Sequence, residues 1–213
     1  MRILNTLAAL VLLALWSVSA SATPIYAIKD DGDMLFYKHT GTDDGSASWP
    51  IMAKKIGNGW NFKQVLARDR GAIYAIKDDG DMLFYKHAGT DDGSASWPIQ
   101  AKKIGNGWNF KQVFAGDRGA IYAIKDNGDM LFYKHAGIDD GSASWPIQAK
   151  KIGNGWNFKQ VFAGDHGAIY AIKDNGDMLF YKHAGIDDGS ASWPIQAKKI
   201  GNGWNFKQVF AGR

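Results

Sequence analysis

The chain has 213 residues, with 26 glycines, 9 tryptophans, no cysteine, and 21 acidic residues that are all aspartate. Abundant glycine and missing glutamate exclude a long-helix or coiled-coil protein, and an aromatic content of 13% excludes intrinsic disorder. The net charge of +4 comes from interspersed residues, so we expect neither a nucleic-acid partner nor a membrane-surface partner. Without cysteine, disulfides, thiolate metal sites and cysteine nucleophiles are also excluded.

The first 22 residues differ from the rest of the chain. An apolar run from Leu7 to Val18 is followed by Ala20-Ser21-Ala22, which has the small-x-small pattern that signal peptidase accepts. The run is shorter than the roughly 20 apolar residues of a membrane-spanning helix. We therefore predict a signal peptide over residues 1–22 and a secreted or periplasmic mature chain over residues 23–213. An uncleaved N-terminal anchor is the alternative.

Four copies of one unit make up the mature chain. The sequence Ile-Tyr-Ala-Ile-Lys begins at residues 25 and 73 and continues to recur every 48 residues. The third and fourth copies are identical over residues 121–164 and 169–212. No linker is left over, so we predict a single domain over 23–213. Its repeats span residues 25–72, 73–120, 121–168 and 169–213.

Each unit carries the signals of four short strands. In the first unit, Ile25–Lys29 and Met34–His39 flank an Asp-Gly turn and predict a hairpin. Ala47–Lys55 is a third strand, which Pro50 restricts to an edge or a bulge. After a Gly-Asn-Gly turn, Trp60–Ala67 is the fourth. Four antiparallel strands in a unit of this length predict an all-β fold, a β-propeller with four-stranded blades, rather than a solenoid.

The phase of the repeat predicts how the propeller closes. The first unit has no Trp-to-Phe strand before it, whereas the last unit ends with one at Trp204–Phe210. We expect this strand to complete the blade that begins at Ile25, because such closure removes exposed strand edges. A monomeric ring is favoured on this basis. A strand-exchanged oligomer and a missing fifth repeat are the alternatives.

The candidate binding residues are aromatic platforms beside planar hydrogen-bonding groups, which together suit sugars. In the first unit Trp49 follows a loop with two aspartates, and Trp60 follows Asn58. Trp60 has an alternative role in packing between blades. The predicted carbohydrate-binding residues of the four copies are Asp44, Trp49, Asn58, Trp60, Asp92, Trp97, Asn106, Trp108, Asp140, Trp145, Asn154, Trp156, Asp188, Trp193, Asn202 and Trp204.

No metal, cofactor or catalytic site is predicted. The aspartates around Gly32 suit a hairpin turn better than a calcium site, and His39 has no second histidine near it in the sequence. Glycoside hydrolysis typically needs two carboxylates in different environments. Here every candidate group is copied fourfold and glutamate is missing, so we expect no enzyme. A propeller glycosidase remains the alternative.

Three stretches of the first unit carry a resemblance to a known family. Asp43–Trp49, Ala53–Phe62 and Val65–Ala67 are similar to the repeat of the tachylectin-type β-propeller lectins, and the similarity extends over the four copies. The family fold has five blades. The resemblance implies one site per blade for N-acetylglucosamine or N-acetylgalactosamine, lying between neighbouring blades.

The resemblance and the repetition together predict a secreted, multivalent lectin. Its expected partners are N-acetylated glycans or cell-wall polysaccharide, because identical sites on one rigid body gain avidity for a multivalent surface. The alternative is a structural or adhesion module that binds protein.

Overall fold

The computed structural model describes residues 22–40 and 46–206, which contain fifteen strands in four sheets. The first blade holds β1 (Thr23–Ile28), β2 (Met34–His39) and β3 (Ile51–Gly57). The second holds β4 (Gln64–Ala67), β5 (Ala72–Ile76), β6 (Met82–Lys86) and β7 (Ile99–Gly105). The third holds β8 (Gln112–Ala115), β9 (Ala120–Ile124), β10 (Met130–Lys134) and β11 (Ile147–Gly153). The fourth holds β12 (Gln160–Ala163), β13 (Ala168–Ile172), β14 (Met178–Lys182) and β15 (Ile195–Gly201).

These sheets form the predicted propeller. Each of the last three is a four-stranded antiparallel meander that takes one strand from the end of one repeat and three from the next. The predicted all-β propeller with four blades is therefore confirmed. The first sheet has three strands among the described residues. The strand expected to complete it, Trp204–Phe210, lies partly outside the described residues. All but the last residue of the predicted signal peptide also lie outside them.

Several strand boundaries differ from the sequence prediction, most of all the beginnings of the third and fourth strands. The third strand begins at Ile51 rather than Ala47, because Pro50 has no N–H to donate to a ladder. The fourth is confined to Gln64–Ala67, because the Trp60 N–H donates to the Gly32 carbonyl oxygen of the β1–β2 turn and not to a neighbouring strand. The predicted hairpin matches β1 and β2, except that β1 begins two residues before its predicted start, at Thr23, and ends one residue before its predicted end, at Ile28.

The outermost strand of every blade contains a β-bulge. In the second blade Phe84 pairs with Lys102 and Lys86 with Ile99, so Gln100 and Ala101 both lie opposite Tyr85. Ala101 has a φ of 48°, and its counterparts in the other three blades have nearly the same value. Bulges of this kind re-aim side chains and are common beside functional sites.

The hydrophobic core lies between the blades. Every residue of the central strands β5 and β9 is buried, because one face of each strand packs on the preceding blade and the other on the following blade. Burial on both faces accounts for continuous apolar runs where a half-exposed sheet would alternate. In the described part of the chain no helix is long and apolar enough to cross a membrane.

A buried hydrogen-bonded pair joins each blade to the next. The Tyr74 hydroxyl lies 2.9 Å from Nδ1 of His135, whose Nε2 lies 2.8 Å from the Ser142 carbonyl oxygen. A carbonyl can only accept, so Nε2 carries the proton and Tyr74 donates to Nδ1. Tyr26 with His87 and Tyr122 with His183 repeat this pair. Burial lowers the pKa of all three histidines and favours their neutral form.

Candidate functional site

Three equivalent cavities lie where consecutive blades meet, with volumes of about 300, 230 and 360 Å³. The first cavity lies between the end of β3 and the second blade. One wall is the segment that leads into β4, with Asn58, Trp60 and Phe62, and the other includes Tyr85 and Trp97. The same positions of the following repeats line the other two cavities. The site is therefore a product of the interface between blades.

A cluster of four rings forms the back of the first cavity. The Trp60 ring centroid lies 4.6 Å from that of Tyr85 and 5.4 Å from that of Trp97, with Phe62 at 5.8 Å. Trp60 is only 7% exposed. A side chain on Gly57 would place its Cβ 2.5 Å from Trp60 Nε1, so glycine at this position is required for the tryptophan to pack so closely.

Trp97 links the two blades that form the first cavity. Its Nε1–H donates to the Ile56 carbonyl oxygen at 2.7 Å, and its ring lies 4.7 Å from the buried His87 ring. Trp145 and Trp193 repeat the bond, at 2.8 Å in each case. These tryptophans are half-buried, so part of each ring borders the cavity while its polar edge is held in place. This fixed orientation suits a flat apolar face on a ligand.

Polar groups of the cavity are neutral. The exposed amides of Asn58 and Gln100 both line it, and Gln100 Nε2 donates to the Trp97 carbonyl oxygen at 3.4 Å. Burial raises the pKa of the Tyr85 hydroxyl, which keeps this group protonated. Among the lining residues of the three cavities there is no carboxylate. The site offers amide and hydroxyl hydrogen bonds beside aromatic faces.

The structure brings together many of the predicted binding residues. Lining one of the three cavities are Asn58, Trp60, Trp97, Asn106, Trp108, Trp145, Asn154, Trp156 and Trp193. Asp92, Asp140 and Asp188 are not among the lining residues, and in each of them Oδ1 accepts the N–H of the serine two residues later. That bond is the largest cause of their lowered pKa. Asp44 lies outside the described residues.

Among the described residues, the first and last copies do not make with each other the ring contacts that form the back of the other three cavities. Trp49 is 38% exposed, and Trp204 has a ring contact with Phe206 but none with Trp49. Asn202 is likewise exposed beside Trp204. The fourth predicted set is therefore divided between the first and last blades.

Sequence reasoning missed several lining positions. Phe62, Tyr85 and Gln100, with their counterparts, belong to the cavities. The alternation of Phe84 with Tyr85 signals opposite faces of a strand, which makes Tyr85 identifiable in principle. Gln100 has no such signal, because the bulge opposite Tyr85 decides its direction.

The motif similarity of the chain is confirmed by comparison with protein families. The tachylectin family model matches residues 18–90 and 79–213. The chain belongs to the tachylectin family. It is thus a member of a family of carbohydrate-binding β-propeller lectins. None of the curated proteins compared with it matches significantly in sequence.

Several solved structures are similar to this tachylectin-family chain. One is a symmetrical protein described for its de novo evolutionary emergence, with 27% identity, a TM-score of 0.60, and coverage of 88% of this chain and 78% of that one. SapL1 lectin in complex with alpha methyl fucoside has 14% identity, a TM-score of 0.48, and coverage of 86% and 63%. Prp20p from Saccharomyces cerevisiae has 14% identity, a TM-score of 0.46, and coverage of 86% and 49%. The chain spans less than two thirds of the last two proteins.

Proposed function

We propose that this protein is a secreted, multivalent lectin that binds N-acetylglucosamine or N-acetylgalactosamine in the cavities between its blades. The observation that carries the proposal is the repeated cavity, in which half-buried aromatic rings adjoin the neutral amides of Asn and Gln side chains. Family membership supports carbohydrate binding. The predicted signal peptide supports export.

The composition of the cavity favours an N-acetylated sugar. An acetamido group has one N–H donor, one carbonyl acceptor and one methyl group. The Gln100 amide and the neutral Tyr85 hydroxyl can both donate and accept, and the Trp97 ring supplies an apolar surface for a methyl group or a sugar face. Because none of these groups is charged, the cavity suits a neutral ligand.

The repetition supports binding over hydrolysis. Each cavity presents the same groups, and no carboxylate pair of the kind that cleaves glycosides lines it. A chain with several equivalent sites gains roughly 10²–10⁴ in avidity on a multivalent surface. We therefore propose recognition of N-acetylated glycans or cell-wall polysaccharide, with agglutination of particles that carry them.

Calorimetric titration of the mature chain with N-acetylglucosamine tests this proposal. Replacement of Gln100, Gln148 and Gln196 by alanine in one variant removes an amide from each cavity. These side chains are exposed, so we expect unchanged folding and an affinity reduced roughly tenfold, which corresponds to about 1.4 kcal/mol per site.

A matched variant distinguishes the cavities from the aspartate loops. Replacement of Asp92, Asp140 and Asp188 by asparagine retains an oxygen that can accept the serine N–H. Because these residues do not line the cavities, this variant is expected to bind as the original chain does. A folded protein in which the asparagine variant loses binding and the alanine variant keeps it would move the site to the loops.

A further inference from the structure

The fourth blade presents an apolar face that the other blades bury. Ile200 on β15 is 48% exposed, whereas its counterparts Ile56, Ile104 and Ile152 are 2–3% exposed. Phe206, which follows β15, is 55% exposed. The third and fourth blades have identical sequences over residues 120–153 and 168–201. The difference in exposure thus comes from what packs against the blade and not from the residues themselves.

The first blade presents the opposite half of the same interface. Ile25 on β1 is 36% exposed, whereas its counterparts Ile73, Ile121 and Ile169 are fully buried. Trp49 is also exposed, while each corresponding tryptophan is half-buried and bonded to the preceding blade. We call the exposed faces of the first and fourth blades, which include Ile25, Trp49, Ile200 and Phe206, the open seam.

Among the described residues, the open seam also lacks the hydrogen bonds that join the other blades. Three Tyr–His pairs join the blades in sequence. In the described ranges, the fourth pair of this series, Tyr170 and His39, forms no hydrogen bond, and Trp49 does not donate to the Ile200 carbonyl oxygen. Tyr170 is half-buried, whereas Tyr74 and Tyr122 are fully buried. Within its described residues the chain therefore makes three complete interfaces and carries the two separate halves of a fourth.

We propose that a second copy of this chain occupies the open seam, in place of the monomeric ring that the phase of the repeat favours, with its first blade packed on the fourth blade of its neighbour. The complementarity follows from the repeats. The fourth blade offers the residues that the third blade offers to its partner, and the first blade offers Ile25, Tyr37 and Trp49 where the fourth offers the same residue types. A blade of this chain therefore fits each exposed face.

The two halves of the seam fit each other but not themselves. Association is consequently head-to-tail, and such contacts close into a ring or continue as an open assembly. The interface is the same in either case. It provides a Tyr170 donor for His39 and an Ile200 carbonyl acceptor for Trp49, each on the neighbouring copy.

Association also completes a fourth cavity, a consequence that rests on the proposed function. Asn202, Trp204 and Phe206 of one copy would lie against Tyr37 and Trp49 of the next, as their counterparts do within the chain. One position differs, because the first repeat has Met52 where the others have glutamine. The fourth cavity therefore lacks one amide and is expected to bind N-acetylglucosamine more weakly than the other three.

The mass of the mature chain, measured by light scattering and native mass spectrometry without sugar, tests the association independently of lectin activity. We expect at least twice the mass of one chain, and a return to the single-chain mass with retained folding for Ile200→Asp. The matched variant Ile152→Asp changes the buried counterpart and is expected to unfold. A single-chain mass for the original protein at all concentrations would overturn the proposal, whether Ile200→Asp folds or not.

Cross-linking keeps the test decisive if Ile200→Asp fails to fold. The chain has no cysteine, so Trp49→Cys and Ile200→Cys can be introduced on separate chains and mixed with a short bis-maleimide. We expect covalent dimers in the mixture. Cross-linking within one chain of the double variant at high dilution, with none between chains, would show closure by the same chain and refute the second copy.

Discussion

The buried Tyr–His pairs predict a specific cost for removing one hydroxyl. Tyr122 and His183 are both fully buried, and the hydroxyl donates to Nδ1 at 2.9 Å. Tyr122→Phe keeps the ring and leaves the buried Nδ1 acceptor without its donor. An unsatisfied buried polar group costs roughly 1–3 kcal/mol. For a chain of this size, each kcal/mol lowers the Tm by about 2–4 °C.

Urea denaturation followed by tryptophan fluorescence measures this change. We expect a lower midpoint with an unchanged slope, because the surface exposed on unfolding stays the same. The control is Tyr133→Phe in the next strand, whose half-buried hydroxyl makes no hydrogen bond in the described part of the chain. Its cost is expected to stay within about 0.5 kcal/mol. Equal losses in both variants, or none in Tyr122→Phe, would show that the buried hydroxyl does not stabilise the fold through His183.

Two further predictions concern pH and packing. Because burial lowers the pKa of His87, His135 and His183, the unfolded chain binds more protons below pH of about 6.5. Their contribution to stability is present above that pH and lost as the pH falls below it. The urea midpoint should therefore decrease between about pH 6.5 and 5, before carboxylates titrate. A urea midpoint that stays constant over this range would contradict the assignment. In Gly105→Ala the new Cβ would lie 2.6 Å from Trp108 Nε1, and overpacking at the buried ring should cost roughly 1–3 kcal/mol. A thermal melt that matches the original chain would exclude so tight a contact.

The sequence predicted the blades well because each signal is local. An Asp-Gly turn between two apolar runs is sufficient to specify the β1–β2 hairpin, and repetition multiplies that evidence fourfold. The third strand was less predictable, since its beginning depends on Pro50 and its bulge on pairing with β2. Loops and bulges are decided by neighbouring strands, which a repeat read in isolation does not contain.

The candidate site was predicted only in part because it belongs to two repeats at once. Trp60 and Trp97 are 37 positions apart in the sequence and meet only when two blades pack together. Asp92 was predicted beside these residues, but it does not line the cavity, and its Oδ1 accepts the Ser94 N–H. The exposure of Ile25 and Ile200 could not be predicted at all from the repeats, because identical residues are buried elsewhere in the chain.

The most direct test of the lectin assignment is binding of the labelled mature protein to a glycan array, with free N-acetylglucosamine as competitor. We expect binding to N-acetylated glycans that the free sugar abolishes and that the alanine variant of Gln100, Gln148 and Gln196 weakens. A folded protein that binds no glycan on the array would contradict it.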